Sequence, residues 1–394
     1  MYKKNVMVLG AKRTAIGSFG GSLKDIPLST LATEVVRAAV AQSNVRVEDV
    51  GHVVMGNVVP TEPRDAYLSR VAAIDSGLPI ETPAFNVNRL CGSGIQAIIS
   101  SSQSIAMGDT QVAVAAGAES MSRGLYMLPS ARWGARMGNT EVLDFMTGIL
   151  HDPWKKVHMG ITAENVAERY GISRQTQDEL AFESQRRAIH AIDNGYFKEQ
   201  IVPIKILQKR MEVAFEVDEH VRRSTSIEEL SAMRPVFKKD GLVTAGNASG
   251  INDGAAAMVL ADEHYANSNG LKPLARLVGY AHAGVDPLYM GIGPVPASRK
   301  VLQSTGLRVE DMDVIESNEA FAAQACAVSR ELNFDPKKVN PNGSGISLGH
   351  PVGATGVIIA LKAIYELHRI NGRYALVTMC IGGGQGIALI FEKA

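Results

Sequence analysis

The sequence is poor in cysteine. It has three, Cys91, Cys326 and Cys380, far apart along the chain. That is too few and too scattered for a disulfide framework, and no pair has metal-ligand spacing. The nine histidines form no zinc motif, so no metal is expected. Free thiols in a reducing compartment are the simplest reading. Long hydrophobic runs are also missing, and none reaches the roughly 18 residues of a membrane span. So is net charge: 40 Lys and Arg balance 40 Asp and Glu. A zero balance gives no general attraction to nucleic acid or an anionic membrane, though a local basic patch for a phosphorylated ligand stays open. Met1 to Lys4 pass almost directly into the apolar run Val6 to Leu9, which leaves no room for a leader segment. The chain ends Phe391-Glu392-Lys393-Ala394, which is no peroxisomal address. A cytoplasmic protein is expected.

The 394 residues are too many for one ordinary core and imply two or three domains. Short apolar runs alternate with helical ones. Val6 to Leu9 reads as a strand. Leu28 to Gln42 reads as a helix with Leu31, Val35 and Ala39 on one stripe, and Val53 to Met55 as a buried strand. The turn Asn86 to Gly94 leads into a helix carrying Ile95, Ile98, Ile99 and Ile105, followed by a strand at Val112 to Ala116. Such alternation predicts an α/β layered fold.

Residues 119–250 differ. They hold both tryptophans, Trp133 and Trp154, and charged segments such as Lys209-Arg210, and only Arg174 to Ile192 looks helical. This stretch reads as an insertion covering a site. After about residue 272 the rhythm returns, with a strand at Val314-Ile315 and a helix from Glu319 to Leu332. A stripe of Val357, Leu361, Ile364 and Leu367 follows, then strands at Tyr374 to Met379 and Ile387 to Phe391 joined through Cys380 to Gly386. The division expected is 1–118 with 251–271, then 119–250, then 272–394. Each half has a strand ending in Asn (Asn57, Asn318), a Gly-rich turn into a helix, and another strand. The spacings match loosely, and the pattern points to two similar halves with a site between them.

Cys91 stands between an extended run and a helix that opens Gly92-Ser93-Gly94. Free N–H groups and the helix dipole would stabilise a thiolate there, and the same groups could hold an oxyanion. A small buried residue at a tight turn is the other reading. His350 lies in the glycine-dense run Asn340 to Gly356, suited either to take a proton from a thiol or to cap the helix. Cys380, before three glycines, is a candidate acid or base, or a core thiol. Cys326, among alanines of the 319–332 helix, reads as packing. Gly343-x-Gly345-x-x-x-Gly349 misses the dinucleotide fingerprint by one residue, and no Walker lysine follows a glycine loop.

Taken together, Arg13-Thr14-Ala15-Ile16-Gly17, Asn88 to Gly94, Asn318 to Ala322, Gly349 to Gly356 and Cys380 to Gly386 resemble the motifs of the thiolase family, in order and over essentially the whole chain. The likeness is nearest to bacterial broad-specificity short-chain β-ketothiolases. It implies the thiolase fold, two similar α/β halves in five layers (αβαβα) with an inserted loop domain over the site. It implies Cys91 as the acyl-carrying nucleophile, His350 as its base and Cys380 as the acid/base at the α-carbon. One oxyanion hole would be His350 with a water held by Asn318, the other the N–H groups of Cys91 and Gly382. CoA would meet His158, Met159, Arg222 and Ser249. Met159, Met290 and Phe321 would line the acyl pocket, and Glu229 departs from a serine near the adenine in some relatives.

The implied reaction joins two acetyl-CoA into acetoacetyl-CoA and CoA, or the reverse, and extends to other short 3-ketoacyl-CoA. A 3-ketoacyl-CoA thiolase working mainly in fatty-acid β-oxidation is the alternative. CoA and its thioesters are substrates and no cofactor is expected. A homotetramer, a dimer of dimers, is implied. A ketoacyl synthase would place two histidines, or His and Asn, beside its cysteine. A hydroxymethylglutaryl-CoA synthase would have glutamate for Cys380. A thiolase-like lipid binder would have lost the nucleophile.

Overall fold

A computed structural model of the chain describes residues 5–394. Met1 to Lys4, and the expectation about a leader that rests on them, lie outside the described residues. Nine strands follow one hydrogen-bonded path: β1 Val6–Arg13, β2 Val50–Gly56, β3 Ala84–Val87, β4 Val112–Ser120, β5 Asn252–Asp262, β6 Ala275–Gly284, β7 Val314–Ser317, β8 Tyr374–Ile381 and β9 Gln385–Lys393. Their order is β7-β8-β9-β6-β1-β5-β4-β2-β3. The two-residue strand Gly17–Ser18 pairs alongside β5. The main helices are α1 Leu28–Ser43, α2 Ser93–Met107, α3 Met159–Tyr170, α4 Arg174–Asp193, α5 Pro294–Thr305, α6 Ala322–Glu331 and α7 Val352–Ile370.

The path is two copies of one pattern, joined where Val6 to Val8 of β1 pair antiparallel with Leu277 to Ala275 of β6. In each copy two parallel strands (β2 with β4, β7 with β8) are followed by antiparallel pairings (β4-β5-β1, β8-β9-β6). Even the bulges match, between Val8 and Gly10 in β1 and between Leu277 and Gly279 in β6. The sequence carries a short mark of this repeat. Arg46-Val47-Glu48-Asp49 and Arg308-Val309-Glu310-Asp311 each make a tight 3-10 turn into β2 or β7. In each, the arginine pairs with the aspartate. A bulge between Val50 and His52 takes up the one-residue difference in spacing, so Asn57 and Asn318 are equivalents.

Three cores bind the five layers, the middle one filling both interfaces of the central helices. In the middle, Ile95 and Ile98 of α2 and Val357 and Leu361 of α7 bury between the inner faces of both sheet halves, among them Ala113, Ala115, Val377 and Leu389. Outside one half, Leu31, Val35 and Ala39 of α1 pack on Val53 and Val114, with strand side chains alternating between faces as the pleat requires. Outside the other, Val295 and Val301 of α5 and Val328 of α6 pack on Ile315, Leu376 and Ile390. No helix among the described residues is long and apolar enough to cross a membrane.

Two expectations need correction. The helix expected from Glu319 starts only at Ala322. The residues before it are extended because Ser249 N–H bonds to Ala320 O at 2.9 Å and Phe321 bridges Ala248. The turn expected through Gly386 spans only Gly382 to Gly384, since Gln385 and Gly386 already pair in β9. Strands β5 and β6 and helix α5 went unread. The alanine run Ala255 to Ala257 carries no strand propensity, and pairing on both edges makes it a strand.

Between β4 and β5 the chain leaves this sheet for α3, α4 and a hairpin, Ile204–Gln208 with Met211–Phe215. The central helices touch backbone to backbone. A Cβ on Gly94 would lie 2.7 Å from the Val357 nitrogen, and one on Gly356 only 2.3 Å from the Ile95 nitrogen. Glycine inside a helix costs about 1 kcal/mol against alanine, so closeness is the gain. Gly356→Ala should therefore destabilise the fold by about 3 kcal/mol, the upper end for overpacking. A urea midpoint equal to wild type would contradict this packing.

Candidate active site

Cys91 is set by a strained turn. Leu90 has φ +48°, a left-handed conformation that costs a branched residue about 1–2 kcal/mol. Side chains hold it there. Asn88 Oδ1 accepts the Leu90 N–H at 2.9 Å, and Ser93 Oγ accepts the Arg89 N–H at 2.8 Å while donating to Leu90 O at 2.6 Å. Gly92 then caps α2, where a Cβ would strike Ile381 at 2.5 Å. The expected resting thiolate is not what this geometry favours. The Gly92 and Ser93 N–H groups are spent on Arg89 O and Leu90 O. Burial raises the Cys91 thiol, and the N–H groups of Gly382 and of Cys91 itself pull it only part of the way back. Cys91 rests as a neutral thiol that needs a base.

His350 stands just before α7 on a loop tied down behind it. Asn340 exchanges bonds with Ser317, and Lys362 donates to Gly343 O at 2.6 Å. The His350 N–H bonds to Asn252 Oδ1 at 2.9 Å. Its Nδ1 lies 2.7 Å from Thr355 Oγ1, and the Thr355 hydroxyl donates to Pro351 O at 2.9 Å. That hydroxyl has one proton, already given, so it accepts from Nδ1–H. The lone pair is therefore on Nε2, which is buried without a protein partner. Burial lowers the ring to about 4, leaving it neutral at physiological pH.

Cys380 ends β8 inside an apolar cluster with Met159, Met290 and Phe321. Burial and then the neighbouring Cys91 push its thiol well above the ordinary range. Asn318, just past β7, is fully buried, and among the described residues neither atom of its side-chain amide has a partner. Cys326 lies apart, its sulfur 3.9 Å from Thr176 O and its thiol raised to about 12 by burial.

A cavity of about 880 Å³ is lined by Cys91, His350, Cys380 and Gly382. The same cavity is lined by His158, Met159, Arg222 and Ser249, and by Met290 and Phe321. Of the residues singled out in the sequence, Asn318 and Glu229, the latter exposed on the short helix Ile227–Ala232, are not part of this lining. His158 caps α3, its Nδ1 accepting the Gly160 N–H at 3.0 Å. Its Nε2 is then a donor, and burial holds the ring near 4. Phe237, unread in the sequence, stacks on His158 at 4.5 Å and meets Phe321 edge-on at 6.2 Å. Gly160 leaves room for it, since a Cβ there would lie 2.2 Å from the Phe237 ring. Thr355 and Asn252 were likewise unread. Thr355 is in the His350 motif, but nothing local marks Asn252.

The fold and this pair of thiols beside an imidazole define a class. The family model for the thiolase N-terminal domain matches residues 6–264, and that for the C-terminal domain matches residues 271–393. The chain belongs to the thiolase family. It is 61% identical over 391 residues to the beta-ketothiolase BktB of Cupriavidus necator, covering 99% of each chain. It is 47% identical to an acetyl-CoA acetyltransferase of Chromobacterium violaceum, covering 98% of this chain and 99% of that one. The solved human mitochondrial 3-ketoacyl-CoA thiolase in complex with CoA superposes with a TM-score of 0.96 at 43% identity, covering 100% of this chain and 99% of that one.

Two outcomes are expected. Thr355→Val frees the His350 tautomer and should lower kcat by roughly 10- to 100-fold, as misplacing a reacting group does. Thr355→Ser should restore most of it, and full activity in the valine variant would refute the tautomer assignment. The second concerns stability. His158, His220 and His350 all fall to about 4 from an ordinary 6.5. Glu316, which burial raises to about 7, acts in the opposite sense, but these three rings bind more protons in the unfolded chain than in the folded one below 6.5. Their share of the stability is complete above 6.5 and is lost as pH falls toward 4. The loss of urea midpoint from pH 7.5 to pH 5 should be smaller in His220→Gln than in wild type, and an equal or larger loss would contradict this.

Proposed function

We propose that the chain is a β-ketothiolase acting through an acyl-cysteine. It condenses two acetyl-CoA to acetoacetyl-CoA and CoA, joins acetyl-CoA to other short acyl-CoA, and runs the reverse thiolysis. The observation that carries this is the opening of Cys91, His350 and Cys380 onto one cavity.

Cys91 Sγ attacks the thioester carbonyl while His350 Nε2 takes the thiol proton. The imidazolium then points a new N–H donor into the cavity, where with a water on Asn318 it stabilises an oxyanion. Cys380, a thiol at rest, gives its proton to the departing CoA thiolate. The Cys380 thiolate so formed removes the α-proton of the second acetyl-CoA, and the carbanion attacks the acyl group on Cys91. The N–H groups of Cys91 and Gly382, which already face the Cys91 sulfur, hold the second oxyanion. Collapse expels the Cys91 thiolate, which recovers its proton from His350. All protons are returned, and no resident cofactor is required.

In this reading His158, Met159, Arg222 and Ser249 hold CoA, whose thioesters are substrates. Met159, Met290 and Phe321 bound the acyl group. The bulky thioether of Met159 restricts the pocket, which fits acetoacetyl-CoA and 3-ketovaleryl-CoA better than long chains. The β-oxidation reading is the weaker one, since mitochondrial 3-ketoacyl-CoA thiolases are 44–45% identical against 61% for the ketothiolase. A homotetramer is supported by the exposed Tyr126, Trp133 and Met137 on one excursion, at 65%, 84% and 96%. Free cysteines support a cytoplasmic setting.

Cys91→Ala should abolish labelling by radioactive acetyl-CoA, and Cys380→Ser should keep labelling but lose condensation. Full turnover in Cys91→Ala would refute the nucleophile. In a thiolysis series, activity confined to acetoacetyl-CoA, or highest with long chains, would refute the assigned range.

A further inference from the structure

The repeat that relates the two halves has an equivalent of Cys380. Gly56 pairs with Gly117 as Ser317 pairs with Thr378. Two residues along each strand, Glu119 therefore stands where Cys380 stands, beside Asn57 where the other half has Asn318. The two pairs have diverged. Both amide atoms of Asn318 lack a protein partner. The Asn57 amide donates to Glu119 Oε1 at 3.0 Å and to Ala118 O at 3.1 Å.

Glu119 is fully buried and saturated. Oε1 also accepts the Val59 N–H at 2.9 Å, and Oε2 accepts the N–H groups of Val58 at 3.2 Å and Gly353 at 2.8 Å. Burial pushes the carboxyl up to about 8, but with two donors on each oxygen a proton would have to displace one of them, so the seat fits the carboxylate. Gly353 is in the first turn of α7, three residues after His350, where an anion is favoured by the helix dipole. The seat is tight. A Cβ on Gly353 would lie 2.6 Å from Glu119 Oε2, and one on Gly117 would lie 2.4 Å from Gly353 O. The charge of Glu119 also reaches Cys91 and raises its thiol. Asp253, on the facing strand β5, is the other acid acting on Glu119.

We propose that Glu119 is a positioning residue for acyl transfer: its carboxylate ties the first turn of the His350 helix to the strand end beside Cys91, and so sets the approach of base to nucleophile. This rests on the reading of Cys91 and His350 as nucleophile and base. The half that carries no α-proton chemistry uses its equivalent of Cys380 as an anchor.

The test compares Glu119→Gln and Glu119→Asp in the full chain. Glutamine has the same shape but cannot accept on both atoms, so one pair of donors is lost. Its kcat for acetoacetyl-CoA thiolysis should fall roughly 10- to 100-fold, the effect of about 1 Å of misplacement, with KM for CoA unchanged. Alkylation of Cys91 by iodoacetamide, read by mass spectrometry, should move to lower pH because a nearby negative charge is gone. Asp253, His350 and Cys380 are the same in every variant, so the shift reports Glu119. Aspartate keeps the charge but falls short of Gly353, so its alkylation profile should match wild type while kcat still drops. Wild-type kcat in either variant overturns the proposal, as does a KM that rises in step with the loss. If the glutamine variant does not fold, the aspartate variant alone decides on the same criteria. Turnover in Cys91→Ala would instead overturn the underlying reading.

Discussion

The helices that begin beside Cys91 and His350 come from opposite halves of the chain and touch through Gly94 and Gly356, with no side chain between them. This contact brings Cys91 and His350, distant in sequence, onto one cavity as the proposed nucleophile and base. It is a backbone contact, so it leaves little play. Both helices sit in the middle of five layers, with a sheet half on each outer side. The layers themselves hold the helix starts in place, and the loops around them need only aim the side chains.

Burial then sets the resting chemistry. It raises both reactive thiols and lowers His350 to about 4. At rest none of these three groups carries a charge. Charge appears when the substrate arrives, where the donors for it are already fixed by the backbone, which is how a low-dielectric site lowers a barrier. In the proposed mechanism, activation of Cys91 accordingly falls to His350, whose lone pair is aimed by Thr355.

The duplicated architecture shows how one scaffold divides its labour. Asn57 and Glu119 are closed on each other and on neighbouring N–H groups. Asn318 keeps its amide unsatisfied, and Cys380 opens on the cavity. An unsatisfied buried amide is costly, which points to use by a ligand or water.

Much of this was legible in the sequence. The stripes Leu31-Val35-Ala39 and Val357-Leu361-Ile364 had to be buried helix faces, and both are. The Gly-rich motifs placed Cys91, His350 and Cys380 at turns because such turns leave few other conformations open. Other features were illegible for physical reasons. The alanines of β5 carry no strand signal, and α6 starts late because Ala320 is taken by a bond from Ser249. Thr355 and Asn252 act through single hydrogen bonds that local pattern does not encode. The sequence by itself determined which groups are candidates for the chemistry, since that follows from their side chains and from the glycines around them. Only the tertiary structure decided their protonation and their tautomer, because both follow from how deeply other segments bury them and from which donors those segments bring.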